Sequence, residues 1–393
     1  MSQIILVKNA QVFAPHKLGI CDVLVAGGRI AKIDQNIDLP QSIGDVVDAD
    51  GAWLMPGLVD TLVHISGGGG EGGFASRTPE LNARDALRNG VTTVIGALGT
   101  DAVTRTLNEM YGKARSLEAQ GLTCYMQTGS YQVPVNTLTG SIRSDIMLVD
   151  NIIGVGELAI SDHRSSHPTR DELVRIAADA RVAGLLSGKG GVVSVHVGDG
   201  AGQLAPLFDA VENSEIPITQ FYPTHMNRNA SLLADGVAFA RAGGFIDFTT
   251  STTDEILASG EMRASRALRI ALEQGAPVDQ LTFSSDAQGS LTNFCDQGEL
   301  QDLEVGSIGS LFDEFRRAVR EEGIELAQAL KVVTRNPARA LGLKRKGQIC
   351  TGRDADLLLV DPDRFELTHV MALGRWQLLD RQGRAERGAT EER

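Results

Sequence analysis

IIGVGELAISDHRSS, residues 152–166, reads as a short buried strand that runs into a polar, partly basic loop. Ile152, Ile153, Val155, Leu158 and Ile160 supply the apolar run, and Glu157 sits among them with no partner nearby in sequence. A lone carboxylate in such a run is unfavourable unless a cation satisfies it. Three later apolar runs end in residues able to hold that cation in common: VSVHVGDG offers His196, YPTHMNRN offers His225 and FSSDAQGS offers Asp286.

Outward from this stretch, short apolar runs alternate with helical patterns. The predicted strands are LMPGLVDTLVHI, VTTVIGAL, LTCYMQTG, IIGVGELAI, VVSVHVG, IPITQFYPTH, GFIDFTTST and LTFSSDAQ. Helical periodicity follows most of them, for example at 171–186 and 263–274, with Thr169 and Thr253 among the cap signals. Eight strand–helix units predict an α/β fold of the TIM type, a (β/α)8 barrel over 55–342. Active sites of such barrels lie at the C-terminal strand ends, where His64, Glu157, His196, His225 and Asp286 all fall.

The two chain ends read differently. Residues 1–54 show period-two alternation with a hairpin signal at Gly27 and Gly28, and 343–393 repeat the style in DADLLLVD and LTHVMALGRWQLLD. Neither end has strands enough to bury a face alone, so the two are expected to pair into one small β-sandwich. The last ten residues, RAERGATEER, read as a frayed polar tail.

Composition narrows the function. A formal net charge of -13 argues against nucleic acid or an anionic membrane as partner and favours a small molecule. Cys21, Cys124, Cys295 and Cys350 form no CxxC pair, which fits a reducing cytoplasm and argues against a thiolate metal site. The start, MSQIILVKNAQVF, has too short an apolar run for a signal peptide, and no segment reaches a membrane-spanning length.

Two imidazoles and a carboxylate suit Zn²⁺ or a similar divalent ion, with an open position for water or substrate. Such an ion lowers the pKa of bound water and polarises a carbonyl, and Asp286 is placed to take the water's proton and return it to a leaving amine. Hydrolysis of an amide or related bond is the expected reaction. GGGGEGG at 67–73 follows the first strand and reads as an active-site loop. His163 and His167 read as solvated or supporting, and His16 and His369 as belonging to the sandwich.

The combination LVHISGGGGEGG, ALGTD, TGSYQVP, ISDHRSS, HVGDG, PTHMNRN and SSDAQGS resembles the isoaspartyl (β-aspartyl) dipeptidases of the amidohydrolase superfamily. The resemblance runs over nearly the whole chain. It implies a barrel with a composite β-sandwich, zinc, hydrolysis of dipeptides linked through an aspartyl side chain, and a homo-oligomer. By position it implies that Glu71 binds the substrate's α-ammonium, that Arg164 and Arg228 bind its carboxylates, that Tyr131 hydrogen-bonds the oxyanion and that Ser290 helps hold the aspartyl end. Arginine's planar fork suits the carboxylate role.

Two positions depart from the family pattern. The usual His-x-His of the first strand is Leu62-Val63-His64, and Glu157 stands where the dipeptidases typically carry a carboxylated lysine. Leucine ligates nothing, so the expectation is one zinc held by Glu157, His196 and His225, with a second, weaker ion on His64, Glu157 and Asp286 left open. Two alternatives stand beside the dipeptidase: a single-metal N-acyl amino acid or amino-sugar deacetylase, and a non-catalytic homologue. Asp296, Glu299, Asp302 and Glu304, after the eighth strand, would favour a basic second residue, as in cyanophycin dipeptides, if they faced the site.

Overall fold

The computed structural model describes residues 4–40, 42–294 and 300–379. Its strands, in chain order, are β1 (Ile4–Phe13), β2 (Lys17–Ala26), β3 (Arg29–Asp34), β4 (Asp45–Asp48), β5 (Trp53–Pro56), β6 (Leu58–Val63), β7 (Val91–Gly96), β8 (Thr123–Thr128), β9 (Ile152–Ile160), β10 (Val192–Val197), β11 (Phe221–Thr224), β12 (Ile246–Thr249), β13 (Leu281–Ser284), β14 (Ser290–Phe294), β15 (Leu300–Val305), β16 (Leu357–Asp361), β17 (Glu366–Ala372) and β18 (Arg375–Leu379).

The eight central apolar runs form strands β6 to β13, although the first, LMPGLVDTLVHI, gives Leu54, Met55 and Pro56 to β5 of another sheet. Six of them make one parallel sheet in the order β11-β10-β9-β8-β7-β6, and β12 pairs with β13. Backbone hydrogen bonds join the small sheet to both edges of the large one: Met226 N to Asp247 O at one side, His64 N to Ala287 O and Asp286 N to Leu62 O at the other. All nine residues of β9 are buried, as expected for a parallel strand covered on both faces. The helices supply the cover. Arg170–Ser187 starts on a capping box of Thr169 and Glu172, turns Leu173, Ile176, Ala177, Ala180 and Ala183 inward at helical spacing, and stops at Gly188 in the left-handed conformation. Thr253 also caps a helix, but the short Asp254–Ala258; Ala264–Glu273 begins without a side-chain cap.

The chain ends meet as expected. β5 pairs antiparallel with β16, so strands from both termini share one sheet in the order β18-β17-β16-β5-β1-β2-β3, with β4 on β1. Gly27 and Gly28 turn β2 into β3 with φ of 60° and 77°. Its separate core includes Ile5, Val7, Val23 and Leu54 from one end and Leu357, Leu359 and Met371 from the other. Lys346, buried, ties this region to the parallel sheet, bonding Asp356 at 2.7 Å, Asp354 at 3.1 Å and Thr123 Oγ1 at 2.7 Å.

After the eighth strand, β14 and β15 pair antiparallel. Asp302 and Glu304 are exposed on β15, while Asp296, Glu299 and Cys295 lie outside the described residues, as does the terminal RAERGATEER.

Candidate metal centre and substrate cavity

Three buried side chains converge where the sheet strands end. Glu157 projects from β9, His196 is the penultimate residue of β10, and His225 follows β11 in a left-handed backbone conformation, φ 66°. His196 Nδ1 lies 3.0 Å and His225 Nε2 3.1 Å from the same oxygen, Glu157 Oε1. Their potential ligand atoms all fall within 4.8 Å of one another. Glu157 Oε2 is buried and makes no hydrogen bond among the described residues. A carboxylate oxygen left so is a defect unless a cation meets it, and two imidazoles with one carboxylate are a donor set that a divalent ion takes readily. The residues fit such an ion.

The outer nitrogens of both rings are also held. His225 Nδ1 is 2.6 Å from Thr249 Oγ1, and His196 Nε2 is 2.9 Å from Asp162 Oδ2. Burial alone would raise the pKa of Glu157, but the hydrogen bonds and charges of His196 and His225 hold it well below the carboxylate range. Burial, with Arg228 and His196 nearby, lowers His225 to about 4, so it stands as a neutral imidazole suited to ligation.

Beside this triad, His64 Nε2 lies 3.1 Å from Asp286 Oδ1 and 3.9 Å from Glu157 Oε2. Burial opposes a charge on His64, but the hydrogen bond and charge of Asp286 and the charge of Glu157 outweigh it and raise His64 to about 9. Leu62 is buried and contributes no donor atom, as its identity required. Asp286, just beyond β13, has φ 53°, a second left-handed residue at the site. Conformations of this kind cluster where function fixes the backbone.

A cavity of about 800 Å³ opens over these groups and is lined by Glu71, Tyr131, Arg164, Arg228, Asp286 and Ser290, among others. Glu71 Oε1 accepts from Ser290 Oγ at 3.0 Å and Thr100 Oγ1 at 3.2 Å, with Arg164 Nη1 at 3.5 Å. Its Oε2 is buried without a partner among the described residues. Ser290 therefore reaches Glu71, the residue expected at the ammonium end of the substrate. Tyr131 OH is 2.7 Å from His196 Nδ1, and Arg228 Nε donates to Val197 O at 3.0 Å. Of the glycine run, Gly68 and Gly69 form part of the cavity rim, and beside them a Cβ on Gly67, at φ 82°, would lie 2.4 Å from Thr78 O and within 2.8 Å of the Arg105 guanidinium. Arg105 braces that rim by donating to the carbonyls of Ser66, Gly68 and Thr78.

Sequence reasoning missed Asp162, Thr100 and Thr249. Asp162 stands two residues before Arg164 inside SDHRSS, and its Oδ1 and Oδ2 grip the guanidinium at 3.0 and 2.8 Å. The acids that line the cavity wall are Asp101, Asp199 and Glu261 as well as the site's own carboxylates; Asp302 and Glu304 do not line it.

Curled parallel strands, a separate sheet from both termini and carboxylate–imidazole ligands at the strand ends together define a metal-hydrolase architecture. Residues 53–377 match the amidohydrolase family, and the chain belongs to that family. Within it, the chain stands with the β-aspartyl dipeptidases. The β-aspartyl dipeptidase of the thermophilic, keratin-degrading Fervidobacterium islandicum AW-1, solved with β-Asp-Leu dipeptide, is 46% identical, with a TM-score of 0.90 over 96% of this chain and 98% of that one. A second structure from that organism gives 44% identity and a TM-score of 0.88, covering 99% and 100%. A dihydroorotase of Elusimicrobium minutum (strain Pei191) is 24% identical, spanning 91% of this chain and 88% of its own.

Proposed function

We propose that the protein is a metal-dependent hydrolase that cleaves β-aspartyl dipeptides. The observation that carries this is the Glu71 carboxylate, which presents a buried, unpartnered oxygen to a cavity that also holds the ligand triad, Arg164 and Arg228. A deacetylase has no need of a counter-charge for a free α-ammonium, and a non-catalytic homologue has no need of Asp286 beside His64.

Glu157, His196 and His225 would hold one Zn²⁺ per subunit, with His64 and Asp286 the residues for a second, weaker ion. When bound, the ion lowers the pKa of a water molecule and polarises the isopeptide carbonyl. Glu71 receives the substrate's α-ammonium, and Arg164 and Arg228 receive its carboxylates. Ser290 fixes the carboxylate of Glu71 by its hydrogen bond and so orients the aspartyl end. The Asp286 carboxylate takes the proton of the attacking water and delivers it to the leaving nitrogen as the C–N bond breaks, so that one water is consumed and aspartate and the second amino acid depart. The Tyr131 hydroxyl donates to the oxygen that becomes negative during attack. Burial, and next the charge of Glu157, push the pKa of that hydroxyl well above 10, which keeps its proton in place for the task.

Strands β6 to β13 are inferred to close as a (β/α)8 barrel reaching to 342 that begins after β5 rather than at 55, because Met55 and Pro56 pair with β16 in the terminal sheet, and that sheet is inferred to belong to a β-sandwich. A homo-oligomer is proposed from the apolar side chains Leu148, Leu185 and Leu186, each about 70% exposed on neighbouring helices. Free cysteines at 21, 124 and 350 accord with a cytoplasmic setting. No helix among the described residues is long and apolar enough to cross a membrane.

Steady-state turnover of β-Asp-Leu, β-Asp-Arg and an N-acetyl amino acid on one purified sample tests the reading. Cleavage of the aspartyl dipeptides alone is expected. Turnover confined to the N-acetyl compound would replace the dipeptidase with the deacetylase. The ratio of the two dipeptide rates reports on the cavity acids Asp101, Asp199 and Glu261.

A further inference from the structure

We infer that Asp162 is a positioning residue that couples the metal site to the substrate site. This rests on the metallo-dipeptidase reading above. Asp162 is buried in the first turn beyond β9, and its two oxygens make four polar contacts. Oδ1 accepts from the Arg164 backbone N at 2.8 Å and from Arg164 Nε at 3.0 Å. Oδ2 lies 2.8 Å from Arg164 Nη2 and 2.9 Å from His196 Nε2. An ionised carboxylate offers about four lone-pair sites, so this one is saturated and has no capacity left to ligate a metal itself.

Each contact has a separate consequence. His196 Nδ1 and His225 Nε2 face the same Glu157 oxygen, so Nδ1 is the nitrogen that must surrender its lone pair to an ion held there. That requires the ring proton on Nε2, where Asp162 Oδ2 accepts it. A carboxylate in this place selects the ligating tautomer and fixes the orientation of the ring. On the other side, the two-point grip takes the Nε/Nη2 edge of Arg164. It turns Nη1 toward Glu71 at 3.5 Å, the cavity wall where the dipeptide's charged ends are received. One carboxylate thus fixes a metal ligand and a substrate cation, and each favours the other through it. Arg164 pairing alone would explain a buried aspartate but not its placement on the outer nitrogen of His196.

The test compares full-length, metal-reconstituted wild type, Asp162→Asn and Arg164→Ala. Two quantities are read: zinc affinity by chelator competition, and kcat and KM for β-Asp-Leu at saturating zinc. Asp162→Asn removes the charge that both His196 Nε2–H and the Arg164 donors meet and puts an amide nitrogen against one of them, so both arms weaken however the amide turns. Zinc affinity should fall roughly 10- to 100-fold, and KM should rise with a smaller change in kcat. Arg164→Ala should raise KM while leaving zinc affinity within about twofold. Unchanged zinc affinity in Asp162→Asn would show that the carboxylate serves Arg164 only and would overturn the inference, as would an unchanged KM at saturating zinc. If Asp162→Asn does not fold, Asp162→Ala/Arg164→Ala removes both charges together, and its zinc affinity must still fall below that of Arg164→Ala. A wild-type protein inert toward β-Asp-Leu would strike the dipeptidase reading instead, and the tautomer role of Asp162 would then be decided by zinc affinity alone.

Discussion

Glu157 within β9 and Asp286 just beyond β13 are both carboxylates of the site, and the surroundings divide their labour. Glu157 lies between two imidazoles, whereas Asp286 faces His64 and the cavity. Asp286→Asn should therefore keep its metal while turnover falls by roughly 10²-fold or more, the loss typical of a missing proton acceptor; near-normal kcat with metal bound would remove the residue from the reaction. Leu62, two residues before His64, is buried and offers no ligand atom. Leu62→His should raise the metal content measured by elemental analysis above that of the wild type, and an unchanged content would show that Glu157 cannot bridge two ions. The candidate ligands were legible because each is a polar residue within or closing an apolar run, an arrangement with few other uses. Asp162 was not, because its contact with His196 arises when the 161–169 loop folds back over the strand ends, and no local spacing encodes that return.

At the scale of elements, the eight central strands were readable from continuous apolar runs, since a strand covered on both faces admits little else. The β14–β15 pairing was not, because Leu300–Val305 is mostly exposed and carries polar residues where a buried strand would be apolar. Strand interiors also hold polar groups that sequence does not explain. Asp60 of β6 is fully buried, accepts from Ser285 N at 3.0 Å through Oδ1, and leaves Oδ2 without a partner among the described residues. Burial raises it from an ordinary 3.8 to about 7. A carboxyl raised on folding is protonated in the native state while the unfolded chain is ionised, so its contribution falls as pH climbs from about 4 to 7 and is level above. Asp60→Asn keeps the accepting oxygen and places an uncharged amide at the orphan position. Its thermal stability relative to wild type should rise across that interval, by roughly 1.4 kcal/mol per unit of native pKa elevation, and then plateau. A difference independent of pH would mean that Asp60 is not raised.

Lys346 bears on how the elements hold together. Burial works against its charge, but Asp356 and Asp354 hold its pKa above the usual lysine value. Lys346→Met should destabilise the protein by roughly 3–5 kcal/mol in equilibrium denaturation, because two buried carboxylates lose their common partner. A change below about 1 kcal/mol would show that solvent reaches the pair.

For the whole molecule, the parallel strands deliver every ligand to one end, the paired termini form a sheet with its own core, and the cavity between the loops brings substrate charges within reach of the metal triad. The central claim is that this chain works with one metal held by Glu157, His196 and His225, with leucine rather than a donor residue at position 62. The most direct measurement is metal content per subunit, by elemental analysis of the active wild-type enzyme and of His196→Ala. One zinc per subunit with β-Asp-Leu turnover, and its loss from the variant together with activity, is the predicted result. Two tightly bound ions in the wild type, or full occupancy in His196→Ala, would contradict the account.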